Sequence, residues 1–213
     1  YKKDAEGNFQ LDEAGNRIRI AIPKGQQISK NGIWVGDYIY EDLHEDGVID
    51  EKDRTFLGNP APKFTFGFNN YFAYKGFDLN IFLNGSVGNK AVNLIRRTFT
   101  DPMRNSNLLK EATDIALIGM HDPEAGDEEL SNVYIVNADR AKVQRVTTSS
   151  ANDNNRISSR FIEDASYLRI KNISLGYTFP RKWLRHLQID NIRLYVNIQN
   201  LCTISGYKGY DPE

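Results

Sequence analysis

A chain of 213 residues with a net charge of −1 is long enough for one large domain or two small ones, and offers no overall electrostatic reason to bind nucleic acid. Its mean hydropathy is −0.54, and no run approaches the roughly 18 consecutive apolar residues of a transmembrane helix. That excludes a helical span but not a β-barrel, whose strands are apolar on one face only.

Residues 1–58 are rich in Gly, Asp and Lys. Asp4-Ala5-Glu6-Gly7-Asn8 is echoed by Asp12-Glu13-Ala14-Gly15-Asn16, and each Gly-Asn is a turn signal, so two turns flanking a small hairpin are expected. Ile33-Trp34-Val35 and Tyr38-Ile39-Tyr40 are short strand-like pieces separated by Gly36.

Asp42 to Asp53 (DLHEDGVIDEKD) has the register of an EF-hand loop. Asp42, His44 and Asp46 take positions 1, 3 and 5, Gly47 the turn at 6, and the Val48 carbonyl position 7. Asp50 and Asp53 fill positions 9 and 12. Calcium takes six to eight oxygens, and glycine permits the sharp turn that aims them inward. His44 in place of Asp or Asn, and Asp53 in place of a bidentate Glu, depart from the pattern. An acidic turn without metal is the alternative, and a bound ion would be structural.

Phe64 to Val87 reads as two strands joined at Lys75-Gly76, with nearly unbroken alternation. Phe64, Phe66, Phe68, Phe72 and Tyr74 share one face of the first strand, opposite Thr65, Gly67, Asn69 and Lys75. On the second, Phe77, Leu79, Ile81, Leu83 and Val87 oppose Asp78, Asn80, Asn84 and Ser86. About eleven residues rising about 3.3 Å each and tilted about 40° cover roughly 28 Å, near the apolar band of an outer-membrane barrel. From the hairpin alone a soluble sandwich remains open.

Residues 89–160 carry no sustained strand pattern. Asn107 to Met120 has apolar positions at Leu108, Leu109, Ala112, Ile115 and Ala116, which predicts a short amphipathic helix ended by His121-Asp122-Pro123. Asp122, Glu124, Asp127, Glu128 and Glu129 suggest a solvated loop, and residues 147–155 a flexible polar one. Alternation returns from Tyr167 to Phe179, where the apolar face changes parity, so a bulge is expected near Asn172. Pro180 stops that strand, and Arg181, Lys182 and Arg185 form a basic connection that marks a membrane boundary. Ile192 to Leu201 is the fourth strand, followed by loop over residues 203–213. Cys202, the single cysteine, reads as a small apolar residue beside Leu201.

The connections between the four strands are short, very long and short. Transmembrane barrels pair short periplasmic turns with long extracellular loops in this way. Four blocks together resemble the C-terminal barrel region of the SusC/RagA-like TonB-dependent outer-membrane transporters. They are Gly36-Asp37 leading into EDLHEDGVIDEKDRTFLGNPAPKFTFGFNNYFAYKGFDLNIFLNGSVGN, then FIEDASYLRIKNISLGYTFP (161–180), IRLYVNIQNL (192–201) and GYKGYDPE (206–213).

The resemblance implies an all-β, antiparallel transmembrane β-barrel segment, part of a 22-stranded barrel around a plug, with long extracellular loops. It divides the chain into an extracellular loop region at 1–58 with the calcium-like loop, a barrel hairpin at 59–88, a long extracellular loop at 89–160, and two further strands with the start of the next loop at 161–213. It implies energised import of oligosaccharides or peptides across the outer membrane of a Gram-negative, Bacteroidota-type bacterium, with a SusD-like surface lipoprotein and TonB as partners. The plug, the TonB box and a final aromatic-terminated strand are not in this sequence, so a piece of a longer protein is expected.

No GxSxG, HExxH or Walker-type glycine loop occurs, and His44, His121 and His186 have no spacing partners, so no enzyme is expected. The alternative from another class is a secreted or surface calcium-binding β-sandwich that binds carbohydrate. It requires a second sheet against Phe66, Phe68, Leu79 and Ile81.

Overall fold

The structure is a computed structural model that describes residues 20–212, of Leu187 the backbone alone, together with Lys2, Asn8, Gln10, Leu11 and residues 13–15. The paired turns expected at Asp4–Asn8 and Asp12–Asn16 lie largely outside the described residues. The chain forms two compact units, Tyr1–Phe56 with Ile95–Ile157, and Leu57–Leu94 with Ser158–Glu213.

The second unit is built on four long strands: β1 (Phe64–Tyr74), β2 (Phe77–Val87), β3 (Tyr167–Thr178) and β4 (Arg193–Ser205). They form one antiparallel sheet in the order β4-β3-β2-β1, so neighbours in the chain are neighbours in the sheet. Lys75 and Gly76 join β1 to β2 with φ of 47° and 91°. Two successive positive φ values define the type I′ turn, whose twist matches that of the strands it joins. The Gly76 carbonyl accepts from Thr178 N–H at 2.8 Å, fastening the turn to β3.

The parity change in β3 is a bulge, as expected. Asn172 pairs with Phe82 but Ile170 with Leu83, so Lys171 is the extra residue against β2, whereas toward β4 the pairs Asn172–Gln199 and Ile170–Cys202 leave Asn200 and Leu201 opposite Lys171. Without it Leu168 and Ile170 would point to the opposite face from Ile173 and Leu175. β4 runs further than the alternation indicated, because Thr203, Ile204 and Ser205 continue the ladder against Arg169, Leu168 and Tyr167. Beyond the long strands, Lys90–Val92 pairs with Ile162–Asp164, and Phe161 and Ala165 are wholly buried there.

In the first unit Ile22–Pro23 pairs in parallel with Val48–Ile49, and Ile118–Met120 pairs antiparallel with Val133–Ile135. Ala21, Ile33, Trp34, Ile49, Ala112, Ala116, Val133 and Val143 are its buried apolar residues. Three local expectations give way to longer-range partners. Between Asn107 and Met120 the only helical residues are Lys110–Thr113, a single 3-10 turn. The rest is drawn off: Ala116 N–H donates to Val143 O, Leu117 N–H to Asn137 Oδ1, and Ile118 onward joins the hairpin.

The pieces at Ile33–Val35 and Tyr38–Tyr40 are not strands. Tyr38 N–H donates to Asn154 Oδ1 and its carbonyl accepts from Asn152 Nδ2, so side chains replace a neighbouring strand. The polar stretch at 147–155 is accordingly packed, with Asn152 buried.

A buried ion pair ties these segments together. Arg145 donates from Nε to Asp37 Oδ1 at 3.0 Å and from Nη2 to Asp37 Oδ2 at 3.2 Å, with side chains 8% and 3% exposed. Arg145 also reaches the carbonyls of Gly32 and Lys30, and Asn154 Nδ2 and the Trp34 N–H donate to Asp37 Oδ1 and Oδ2. A buried charge persists only when paired and hydrogen-bonded, and each lone pair of Asp37 is answered here.

Candidate functional site

Cross-strand register sorts the four-stranded sheet into two chemically distinct faces. On one face the rows run Phe66–Gly85–Leu168–Ile204, Phe68–Leu83–Ile170–Cys202, Asn70–Ile81–Ile173–Ile198, Phe72–Leu79–Leu175–Val196 and Tyr74–Phe77–Tyr177–Leu194. Asn70 is the one hydrogen-bonding side chain in the interior of this face. A Cβ on Gly85 would lie 2.5 Å from the Phe66 ring, so the absent side chain leaves room for that ring to lie across the strand.

This apolar face is uncovered. Phe68 is 56% exposed, Phe72 59% and Val196 65%, so among the described residues no second sheet covers it. Soluble proteins rarely leave so contiguous an apolar surface open, because each exposed square ångström forgoes about 25 cal/mol. The sandwich alternative fails on this point.

The opposite face carries Thr65–Ser86–Tyr167–Ser205, Gly67–Asn84–Arg169–Thr203, Tyr71–Asn80–Ser174–Asn197 and Ala73–Asp78–Gly176–Tyr195. Asp78 on β2 and Arg193 on β4 form a two-pronged ion pair, Nε to Oδ1 at 3.2 Å and Nη2 to Oδ2 at 2.5 Å. Arg169 is buried, donating to Thr203 Oγ1 at 2.9 Å and to Asp211 Oδ1 at 2.5 Å. The Oδ1 atoms of Asn80, Asn84 and Asn172 are buried with no donor among the described residues. Sequence reading missed both ion pairs. For Asp78 and Arg193 the signal was a lone charged residue in the polar register of an otherwise uncharged strand.

Aromatic residues gather at the short-turn end. Phe77 and Tyr177 have ring centroids 4.4 Å apart, Tyr177 and Phe179 5.0 Å, and Phe179 and Trp183 6.3 Å. A band of rings at the end of an apolar face is what a membrane–water boundary selects.

The acidic loop belongs to the first unit, and its carboxylates turn largely into the backbone. Asp42 Oδ2 accepts from Gly47 N–H at 2.9 Å, Asp46 Oδ1 from Val48 N–H at 3.1 Å, and Asp50 Oδ1 from Lys52 N–H at 2.8 Å. Gly47 has φ of 81°, the turn the EF-hand register requires. Asp53 accepts from Asp50, Leu43 and His44 N–H groups, and the Asp50 N–H above all holds its carboxyl below the usual range. His44 Nδ1 lies 3.7 Å from Asp53 Oδ1 and turns toward the loop's own acid. Among the described residues no three of His, Cys, Asp or Glu stand together as a cation site. Asp42 Oδ1 is the exception to this self-satisfaction, buried and without a donor among the described residues.

By fold, the four long strands are a segment of an antiparallel transmembrane β-barrel wall of the TonB-dependent transporter kind. The chain is similar to solved structures of the RagAB peptide transporter, with a TM-score of 0.55 and 23% identity over 73% of this chain and 15% of that one. The RagAB peptide importer in its "closed-closed" state gives a TM-score of 0.55 and 21% identity over 95% of this chain and 18% of that one.

In sequence the chain is 34% identical over 192 residues to TonB-dependent receptor P3 of Formosa agariphila, covering 90% of this chain and 17% of the relative. It is 26% identical over 218 residues to TonB-dependent receptor SusC of Bacteroides thetaiotaomicron, covering 94% of this chain and 19% of the relative. No protein-family model matches. The resemblance to SusC/RagA-like TonB-dependent transporters is borne out through nine-tenths of the chain, which spans less than a fifth of these curated relatives. Those relatives are named as receptors and not as enzymes.

Proposed function

We propose that these residues are part of the wall and extracellular loops of an outer-membrane, TonB-dependent nutrient importer. Its cargo is an oligosaccharide or a peptide, and its partner a SusD-like surface lipoprotein in a Bacteroidota-type bacterium. The observation that carries the reading is the sheet itself, apolar and uncovered on one face, polar on the other, and built of strands of 11 to 13 residues. Strands of this length tilted in a bilayer put lipid against one face and water against the other. The likeness to TonB-dependent receptors supports the import function, and the likeness to the RagAB peptide transporter supports peptide as one of the cargo classes.

In this reading the strands do no chemistry. They bury lipid-facing Phe and Leu, keep Asn, Ser and Thr for the lumen, and hold the loops that meet cargo. Energy from TonB enters through parts of the protein outside these residues. The test is uptake of labelled oligosaccharides and peptides by cells with and without the intact gene, with capture of the lipoprotein partner. Unchanged uptake of every cargo after deletion would end the proposal.

One observation favours a calcium ion in the acidic loop, namely the donorless Asp42 Oδ1. The ligands would be Asp42, Asp46, Asp50 and the Val48 carbonyl, with His44 and Asp53 at the two remaining positions, and the ion would brace the loop. Isothermal titration of the intact protein with calcium, repeated on Asp46→Ala, tests it. No heat in the wild type, or the same heat in the variant, rules it out.

A further inference from the structure

We infer that the basic connection between β3 and β4 is a binding site for the phosphodiester headgroup of an anionic phospholipid. The inference rests on the membrane-wall reading and adds a lipid ligand to it.

Arg181, Lys182, Arg185, Gln188, Ile189 and Asp190 line a concavity of about 480 Å³. Arg181, Lys182 and Arg185 are exposed, and none makes an ion pair among the described residues. Against their three positive charges the lining sets only the Asp190 carboxylate, so the concavity favours an anion.

Elsewhere several described cations are held by carboxylates. Lys30 pairs with Asp127, Lys90 with Asp164, Arg96 with Glu111 and Arg145 with Asp37.

Position supplies the second argument. The concavity follows directly on the aromatic series Phe77–Tyr177–Phe179–Trp183, and Trp183 stands 57% exposed between Lys182 and Leu184. Leu184 is buried and anchors the short helix Arg181–Leu184. Across the sheet Lys75, in the β1–β2 turn, lies over the Tyr74 ring at 5.1 Å. An amphipathic ring at headgroup depth, with guanidinium and ammonium groups one step further out, matches a lipid whose acyl chains meet the rings and whose phosphate meets the cations. Arginine suits a phosphodiester especially well, since its planar fork donates two parallel hydrogen bonds.

The test uses the intact transporter in detergent, delipidated and then titrated with cardiolipin, phosphatidylglycerol or phosphatidylcholine under native mass spectrometry. Wild type retains cardiolipin and phosphatidylglycerol over phosphatidylcholine. The triple variant Arg181→Ser, Lys182→Ser, Arg185→Ser retains them on the order of tenfold less, while Arg104→Ser, in the other unit, has no effect. Heat-dependent mobility on gels establishes that each variant is folded, and the single variants Arg181→Gln and Arg185→Gln replace the triple one if it is not. Equal retention by variant and wild type, equal retention of phosphatidylcholine, or displacement of the lipid by inorganic phosphate overturns the inference. Cargo uptake is scored separately, so loss of the import function is distinguishable from loss of the lipid site.

Discussion

Asp78 and Arg193 meet across β3, directly over Gly176, with Arg193 Nη2 2.5 Å from Asp78 Oδ2. A Cβ at residue 176 would fall 2.5 Å from Arg193 Nη2 and 2.6 Å from Asp78 Oδ1. The glycine thus opens the space in which strands two apart can be joined on the polar face. Gly176→Ala is expected to push the flexible ends aside with a small loss of heat resistance, and Gly176→Leu to break the pair with a larger one. The temperature at which the folded band converts to the unfolded band on gels, compared with Asp78→Asn, measures both. A Gly176→Leu protein as heat-resistant as wild type would refute this account.

Charge placed on the two faces should separate them. Ile81→Arg and Ile173→Arg stand in the middle row of the apolar face, where an arginine in lipid costs about 2–4 kcal/mol. Asn197→Arg lies on the polar face and should fold within about 0.5 kcal/mol of wild type. Unfolding titrations in lipid vesicles decide, and equal costs on both faces would contradict the assignment.

Cys202 shares a row with Phe68, Leu83 and Ile170. A nitroxide attached there should relax readily with dissolved oxygen and poorly with a water-soluble nickel chelate. The reverse order would place this face toward water.

The Asp37–Arg145 pair predicts the largest local effect. Removing one partner of a buried pair leaves the other charge without compensation, at a cost of about 3–5 kcal/mol. Arg145→Ala should therefore raise hydrogen exchange at residues 30–38 and 143–157 while leaving the long strands protected. Replacing both members with apolar residues should be milder.

Asp164 carries a pH dependence of definite sign. The Ser166 hydroxyl and N–H, aided by Lys90, lower its pKa to about 2. A carboxyl depressed on folding stabilises above its unfolded pKa and loses that contribution as pH falls through the folded value. The stability gap between wild type and Asp164→Asn should hold above about pH 4 and close toward pH 2. Stability measured across that range checks it, and a gap that widens on acidification would refute the sign.

The wall was legible because strand alternation is a property of neighbouring residues. The parity change around Asn172 even announced the bulge at Lys171, since a bulge keeps Leu168 and Ile170 on the face of Ile173 and Leu175. The end of β4 was less visible, because Thr203 and Ser205 are ordinary in a strand and in a loop alike; only their partners Arg169 and Tyr167 extend it.

The first unit was much less legible. Asn107 to Met120 has helical spacing, yet Val143, Asn137 and the strand Val133–Ile135 take up its backbone groups. The stretch at 147–155 looked merely polar, but Asn152 and Asn154 use their amides to hold Tyr38 and Asp37. Backbone groups withdrawn from water must find partners, and those of Tyr38 find them more than a hundred residues away, at Asn152 and Asn154.

The sequence alone determined that four amphipathic strands exist, where the tight turn falls, and which residues share a face, because side chains alternate with period two. Tertiary structure alone decided that Asp78 finds Arg193 over a glycine, that Arg145 finds Asp37, and that Asp53 closes the acidic loop through its own backbone. These contacts depend on register and on chain reversals, which bring together residues that no local pattern relates.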